Sequence, residues 1–560
     1  MFSSVLGWMA LLLGLIPAQA RGAAKAPATY RISGIVVDAV SGQPVPRAEL
    51  FLYPGSTEPS DVIGTVVSGS RGEFAFENVA PGKYTLRAQR RGYAPQAYLQ
   101  HENYWTGIVV GPGVDAEKIR FPLLPSASIS GQVVDEYGEA MRNAKVLLFE
   151  QGVLEGKRTT RMSEQAMTDD EGRYRFGHLL PGDYLVGVNA EPWYHMSLGQ
   201  FRVAAGGEVR ELASNMDFSL DLSSSTNSLP DVVYPMTFFP DARDISAAEI
   251  FHLHAGDGEI ADVRLQQVPA FRLHVRVPSN GENTNSNVIV FQSLADGLQV
   301  PVQGLRNTSS PGVMEVSGLP PGHLDIWVTS PATPDRAGTS HVESVDLSSN
   351  LEMDATRPSV QRNVSGVVKM EDGTDLPSVT AVQLRDTKAG VPFVTRIRPG
   401  GEFSFENNPI SGTTGSFEVS MVQSQDVFVR RVLAKGAKVS GARVEFGDDQ
   451  DIRLEIMLAK GTNSINGLAL RENKPIAGAM IVLLPEDFQN NVQLIRRDQT
   501  DSDGSFTLRQ VPSGHYTMLA IANGWELEWM TPEVLRKYLP DGTSVDVPAE
   551  AAEPIKVKAQ

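Results

Sequence analysis

Cysteine is absent from all 560 residues. That excludes disulfides, thiolate nucleophiles, cysteine-ligated zinc and a lipid-bearing cysteine, and leaves packing to stabilise the chain. Histidine is scarce, nine in all, and none has a glutamate three residues later. The paired imidazoles and carboxylate of a hydrolytic zinc site therefore have no sequence signature here. No Gly-x-Ser-x-Gly elbow occurs, so the strand–helix nucleophile turn of acyl transfer is missing too. Positive charge is short: 49 Lys and Arg against 66 Asp and Glu, a net charge of −17. Such a chain repels phosphate backbones, and nucleic acid is not an expected partner. No enzyme activity and no cofactor are expected.

Long apolar runs are also missing, with one exception. Val5 to Ile16 is mostly apolar and Ala18-Gln19-Ala20 is a small-x-small cleavage pattern, so residues 1–20 read as a secretory signal, although the segment before the run has no Lys or Arg. The run is shorter than the ~20 residues that span a bilayer. Export places the mature chain in the periplasm, on the outer envelope or outside the cell.

What the chain has in quantity is glycine and proline, 51 and 36 residues, set between short apolar runs. That mix favours β-sandwiches over helical folds. A pattern recurs. Ile32-Ser33-Gly34-Ile35-Val36-Val37-Asp38 is answered by Phe74-Ala75-Phe76 and by Pro81-Gly82-Lys83-Tyr84. Ile129-Ser130-Gly131 is answered by Tyr174-Arg175-Phe176 and Pro181-Gly182-Asp183-Tyr184, and Ile465-Asn466-Gly467 by Phe506 and Ser513-Gly514-His515-Tyr516. The opening and closing glycines stand 48, 51 and 47 residues apart. A fixed spacing between strand signals means one small β unit used repeatedly.

Five units are expected: 29–124, 126–267 with a long insertion, 269–357, 358–459 and 460–560. The third and fourth are degenerate. The fourth has Ser411-Gly412-Thr413-Thr414-Gly415 in place of a Pro-Gly corner. The insertion in the second includes a Ser-rich stretch, 222–229, that reads as a loop. One helix is expected over Pro532–Leu539, with Thr531 as its cap and proline at its first position. The fold class is all-β, tandem antiparallel sandwiches with that one helix. Short linkers imply contiguous modules with limited bending.

The repeat resembles the carboxypeptidase regulatory-like domain. The residues that carry the likeness are Ser33-Gly34-Ile35-Val36-Val37-Asp38, Gly42-Gln43-Pro44-Val45-Pro46 and Gly72-Glu73-Phe74-Ala75-Phe76 in the first unit, with Asp169-Asp170-Glu171-Gly172 in the second and Asp501-Ser502-Asp503-Gly504 in the fifth. The resemblance implies a transthyretin-like sandwich of about seven strands, related to the starch-binding-like and Cna-B-like folds. It does not imply peptidase activity, because fold does not fix function.

Aromatic clusters follow the corner strands: Tyr104 and Trp105, Trp193 and Tyr194, Trp525 and Trp529. Flat rings at the end of a sandwich can stack on sugar faces; they can equally plug the joint between modules. These six are the candidate ligand-binding residues, with a carbohydrate or an envelope protein as the expected partner. A structural spacer, an adhesion module and an accessory subunit of a peptidase stay open as alternatives. His252 and His254, two apart, could share a weak metal site. The two Asp-rich stretches read as turns whose Asp bonds its own backbone, and Lys145 as an ordinary strand lysine.

Overall fold

Side chains two apart on a strand share a face, and the repeated aromatic pairs use that rule. Phe74 and Phe76 lie in the strand Glu73–Val79, both buried, their rings meeting edge to face at 6.3 Å. Tyr174 and Phe176 do the same in Arg173–Leu179 at 5.7 Å. The structure, a computed structural model, describes residues 29–55, 62–114, 116–192, 232–278, 286–294, 298–302, 304–310, 312–330, 339–356, 363–376, 381–387, 392–405, 410, 415–422, 427–447, 449, 451–460, 462–547 and 554–560. The leader expected over 1–20 and the Ser-rich loop 222–229 lie outside these residues.

Among the described residues the strands sort into five pairs of sheets, numbered here as modules in chain order, plus a small ribbon of Val232–Val233 with Val268–Pro269. In the first module Tyr30–Asp38 runs antiparallel to Glu73–Val79 and parallel to Ile119–Leu123. The facing sheet sets Glu49–Pro54 between Gly64–Val67 and Gly82–Gln89. Ile32, Val36 and Phe121 from one sheet and Leu50 and Leu86 from the other fill the space between them. Each such side chain contributes about 1.5–3 kcal/mol when fully buried. The same plan, including parallel pairing to the opening strand, recurs over 127–264, 271–354, 363–460 and 462–558. The fold is all-β, tandem antiparallel sandwiches.

Two repeated residues have now a physical reason. A Cβ built on Gly34, Gly131, Gly366 or Gly467 would stand under 3.0 Å from the carbonyl oxygen of Ile119, Ala261, Leu454 or Ile555, each on the parallel neighbour or, for Ala261, between the two short strands that form it. The glycine is the gap through which that strand approaches. The corner tyrosines fold back on their own turn: the hydroxyls of Tyr84, Tyr184 and Tyr516 donate to the carbonyls of Ala80, Leu180 and Pro512 at 2.8, 3.0 and 3.0 Å. The fourth module, without Pro-Gly, starts the equivalent strand Gly415–Val422 with Gly415 at φ +143°.

The C-terminal helix is shorter than the sequence suggests. It covers Pro532–Leu535, and the Thr531 side chain makes no capping bond. A 3-10 turn, Leu539–Asp541, follows. Pro540 has no N–H to donate to the Arg536 carbonyl, so an α-helix cannot run through it unbroken, and Leu535, Tyr538 and Leu539 are drawn onto the outer face of the fifth module. Among the described residues no helix is long and apolar enough to cross a membrane.

Modules do not follow one another as beads. The outer face of the second module's sheet, Leu147, Phe149 and Leu185, is covered by Met236, Phe238 and Ile245 and by Val300 of the third. The fourth touches the fifth where the Ala442 amide donates to the Asn490 carbonyl at 3.3 Å. The fifth returns to the first and the second, an arrangement the short linkers did not announce.

Candidate functional site

The chemistry-bearing side chains converge where the fifth module meets the first. The fifth contributes its edge strand Arg496–Gln499 and the turn that follows. The first contributes residues 97–109, between two short strands that pair with Gly82–Gln89. An unpaired sheet edge invites association, and here this loop covers it with polar contacts. The Gln499 amide nitrogen donates to the Leu99 carbonyl at 2.6 Å and to Thr106 Oγ1 at 2.8 Å, and its oxygen faces His101 Nδ1 at 3.0 Å. Thr106 Oγ1 donates to the Thr500 carbonyl at 3.1 Å. Backbone also crosses the joint: the Ser502 amide donates to the Gly107 carbonyl at 2.9 Å, and the Val109 amide to Ser502 Oγ at 2.9 Å.

Two ion pairs are built into the same joint. Arg497 and Glu102 meet through Nη1–Oε1 at 3.3 Å and Nη2–Oε2 at 3.0 Å, with side chains only 8% and 14% exposed. The guanidinium lies 5.1 Å from the Tyr104 ring centre and 5.2 Å from that of Trp529. A buried pair repays its desolvation only when its geometry is good and its remaining donors are engaged; the fork-to-fork pairing and the two rings supply both. The second pair is Lys83 Nζ with Asp501 Oδ2 at 2.7 Å, while Asp501 Oδ1 accepts the Gly107 amide at 3.1 Å. Burial pushes the Asp501 carboxyl up to about 6, against the downward pull of Lys83. Burial also raises Asp498 beside it.

Asp501 departs from the turn reading. Its counterpart Asp169 accepts the Glu171 and Arg173 amides of its own turn. In the fifth module Asp503 takes that inward role, accepting the Ser505 amide at 3.0 Å, and Asp501 is aimed at the first module instead. Lys83 departs from its repeat in the same way. It directly follows a corner glycine, the position that in other modules makes a cross-strand His–Asp pair: Asp183 with His252, His323 with Asp346, His515 with Asp546. His252 and His254 are held by separate carboxylates, Asp183 and Asp257. Among the described residues no three His, Asp or Glu side chains gather as metal ligands.

The aromatic candidates divide. Trp525 and Trp529 are 7% and 3% exposed. Trp525 stacks on His101 at 5.2 Å, tilts against Tyr104 at 5.2 Å and donates its Nε1–H to the Gly478 carbonyl. Trp529 lies against Gly156 of the second module, where the Met530 amide donates to the Gly156 carbonyl at 3.0 Å and Glu528 pairs with Arg158. Tyr104 belongs to the same cluster. Trp105 points elsewhere, its Nε1–H donating to Thr85 Oγ1 at 2.9 Å and its ring facing Arg87 at 5.7 Å. Trp193 and Tyr194 lie outside the described residues.

Glu102, Arg497 and Gln499 carry no signal of their own in the sequence, and Asp501 stands out there only as part of a turn. One signal was present. Val146-Leu147-Leu148-Phe149 and Met480-Ile481-Val482-Leu483-Leu484 are unbroken apolar runs, and every residue in them is buried. A strand that is apolar on both faces has something packed on both. Alternate residues serve the core (Ile481, Leu483) and the joint side (Met480, Val482, Leu484).

None of the curated proteins matches the chain. Solved structures it is similar to include the full-length major pilin of Streptococcus pneumoniae, at 8% identity over 94% of this chain and 99% of that one, TM-score 0.18. A streptococcal ancillary pilin is 12% identical over 52% of this chain and 98% of its own, TM-score 0.19. The minor pilin of Streptococcus agalactiae is 12% identical over 43% and 97%, TM-score 0.20. Likeness at these scores says nothing about shared function. The family model described as carboxypeptidase regulatory-like domain matches residues 31–123 and 128–218. The match spans the first module and the opening part of the second, where the repeat is similar to this family.

Proposed function

We propose that this chain is an exported, non-catalytic scaffold whose five sandwiches are locked into one closed body that presents its surfaces to a cell-envelope polymer or protein. The observation that carries the reading is the buried Arg497–Glu102 pair between Tyr104 and Trp529, formed by residues 395 apart in sequence. A desolvated ion pair is costly unless both partners are held together permanently, and its best-attested use is to specify one arrangement. Chemistry-bearing side chains that meet here hold modules together. The test is small-angle scattering of the full chain. Arg497→Glu should enlarge the radius of gyration, and the charge-swapped double variant Arg497→Glu with Glu102→Arg should bring it back toward the starting value. An unchanged radius in the single variant would defeat the reading.

A carbohydrate or other envelope polymer is the ligand class proposed for this scaffold. Three of the six aromatic candidates, Tyr104, Trp525 and Trp529, sit in the joint, so the ligand role rests on Trp105 together with Trp193 and Tyr194. Glycan-array binding should fall at least tenfold in Trp105→Ala or Trp193→Ala. Equal binding by both variants would remove these residues from the proposal.

A further inference from the structure

The joint between the first and fifth modules holds a titratable group in an unusual place. Asp501 is 3% exposed, at the tip of a turn. Two of its partners, the Gly107 amide and Lys83 Nζ, come from the opposite module. If the modules part, this tip stands in water. If they close, the carboxylate gives up water for one amide and one ammonium across the joint, and the Lys83 side chain that supplies the ammonium is itself 41% exposed. Desolvation is the larger effect, so the carboxyl holds its proton more tightly when the joint is closed than when it is open.

We propose that this joint is an acid-tightened latch, in which closure of the fifth module onto the first takes up a proton at Asp501 and grows firmer as the surroundings turn mildly acidic.

The direction follows from linkage. An acid whose affinity for its proton rises on closing favours the closed form as pH falls. With an ordinary value of 3.8 and a closed value of about 6, the gain is complete below the first and absent well above the second. Salt-bridge intuition predicts the reverse, since protonation discharges the partner of Lys83. Here the attraction to Lys83 does not recover the cost of burying the charge.

Charged and titratable groups face Asp501 from both modules. Across the joint stand Lys83 on Gly82–Gln89 and, further along the loop, His101 and Glu102. On its own module stand Asp498 and Asp503, with Arg509 near Asp498. Asp498 repels Asp501 and is itself raised by burial, so it acts in the same sense. Glu102 is committed to Arg497.

The test uses hydrogen exchange of the full chain, because exchange reads rare opening even when the closed form dominates. The reporters are the Gly107, Val109 and Ser502 amides, each bonded across the joint. After correction for the intrinsic pH dependence of exchange, their protection should rise roughly tenfold from pH 8 to pH 5. In Asp501→Asn, which keeps an acceptor oxygen and removes the titration, protection should be nearly the same at both pH values. In Lys83→Met, which removes the counter-charge and leaves the turn intact, protection at pH 8 should fall and the rise toward pH 5 should steepen. Flat protection in the unaltered chain would overturn the latch. So would a pH rise that survives in Asp501→Asn, which would assign the effect to another group such as His101.

Discussion

Single residues show where the repeat is constrained. Gly131 is recognisable from sequence alone, since it sits in the same Ser-Gly context as Gly34. Its reason is not, because the strand that crowds it, near Ala261, lies 130 residues away. Gly131→Ala pushes a Cβ into a backbone carbonyl that cannot rotate aside. It should destabilise the second module by about 1–3 kcal/mol, in line with overpacked cores, seen as an earlier first transition in urea unfolding. The corner tyrosine is equally legible, and its hydroxyl bond to a carbonyl four residues back explains why tyrosine and not phenylalanine recurs there. The residues of the joint were illegible for the opposite reason. Asp501 stands in a turn motif shared with Asp169, and only the presence of another module makes its side chain face outward.

At the scale of elements, strand patterning was a faithful guide to sheets and a partial one to their surroundings. Leu50 and Leu52 alternate with half-buried neighbours, as a strand with one packed face does. Met480–Pro485 is buried throughout, and that continuity is the mark of a second packed layer. The helix is the element most overstated by propensity. Its capping threonine and first-turn proline are real signals, yet the helix stops after Leu535 and the threonine hydroxyl bonds nothing across the turn. Thr531→Ala should therefore change thermal stability by no more than about 0.5 kcal/mol, well below the ~1 kcal/mol of a working cap. A larger loss in a differential scanning experiment would show a role for that hydroxyl that the geometry lacks.

At the scale of the molecule, order along the chain and order in space differ. The fifth module touches the first and second as well as its neighbour, the fourth. Linker length could not reveal this, because closure depends on a complementary pair of surfaces and not on the covalent path between them. The energetic logic is that of an intramolecular encounter. The intervening modules hold the two faces at high effective concentration, so contacts that would be weak between separate proteins suffice here. Burial of Arg497, Gln499 and Asp501 makes mismatched seating costly and favours one register.

Closure changes what a broken backbone means. In a linear string, one cleaved peptide bond yields two diffusing fragments. In this protein the first and fifth modules already grip each other through Glu102, Trp525 and their partners. A protease nick in the third or fourth module should leave a particle that still migrates as one species on a native gel and separates only in denaturant. Without a single cysteine to tie it, the molecule would survive a cut in its middle on the strength of its clasp.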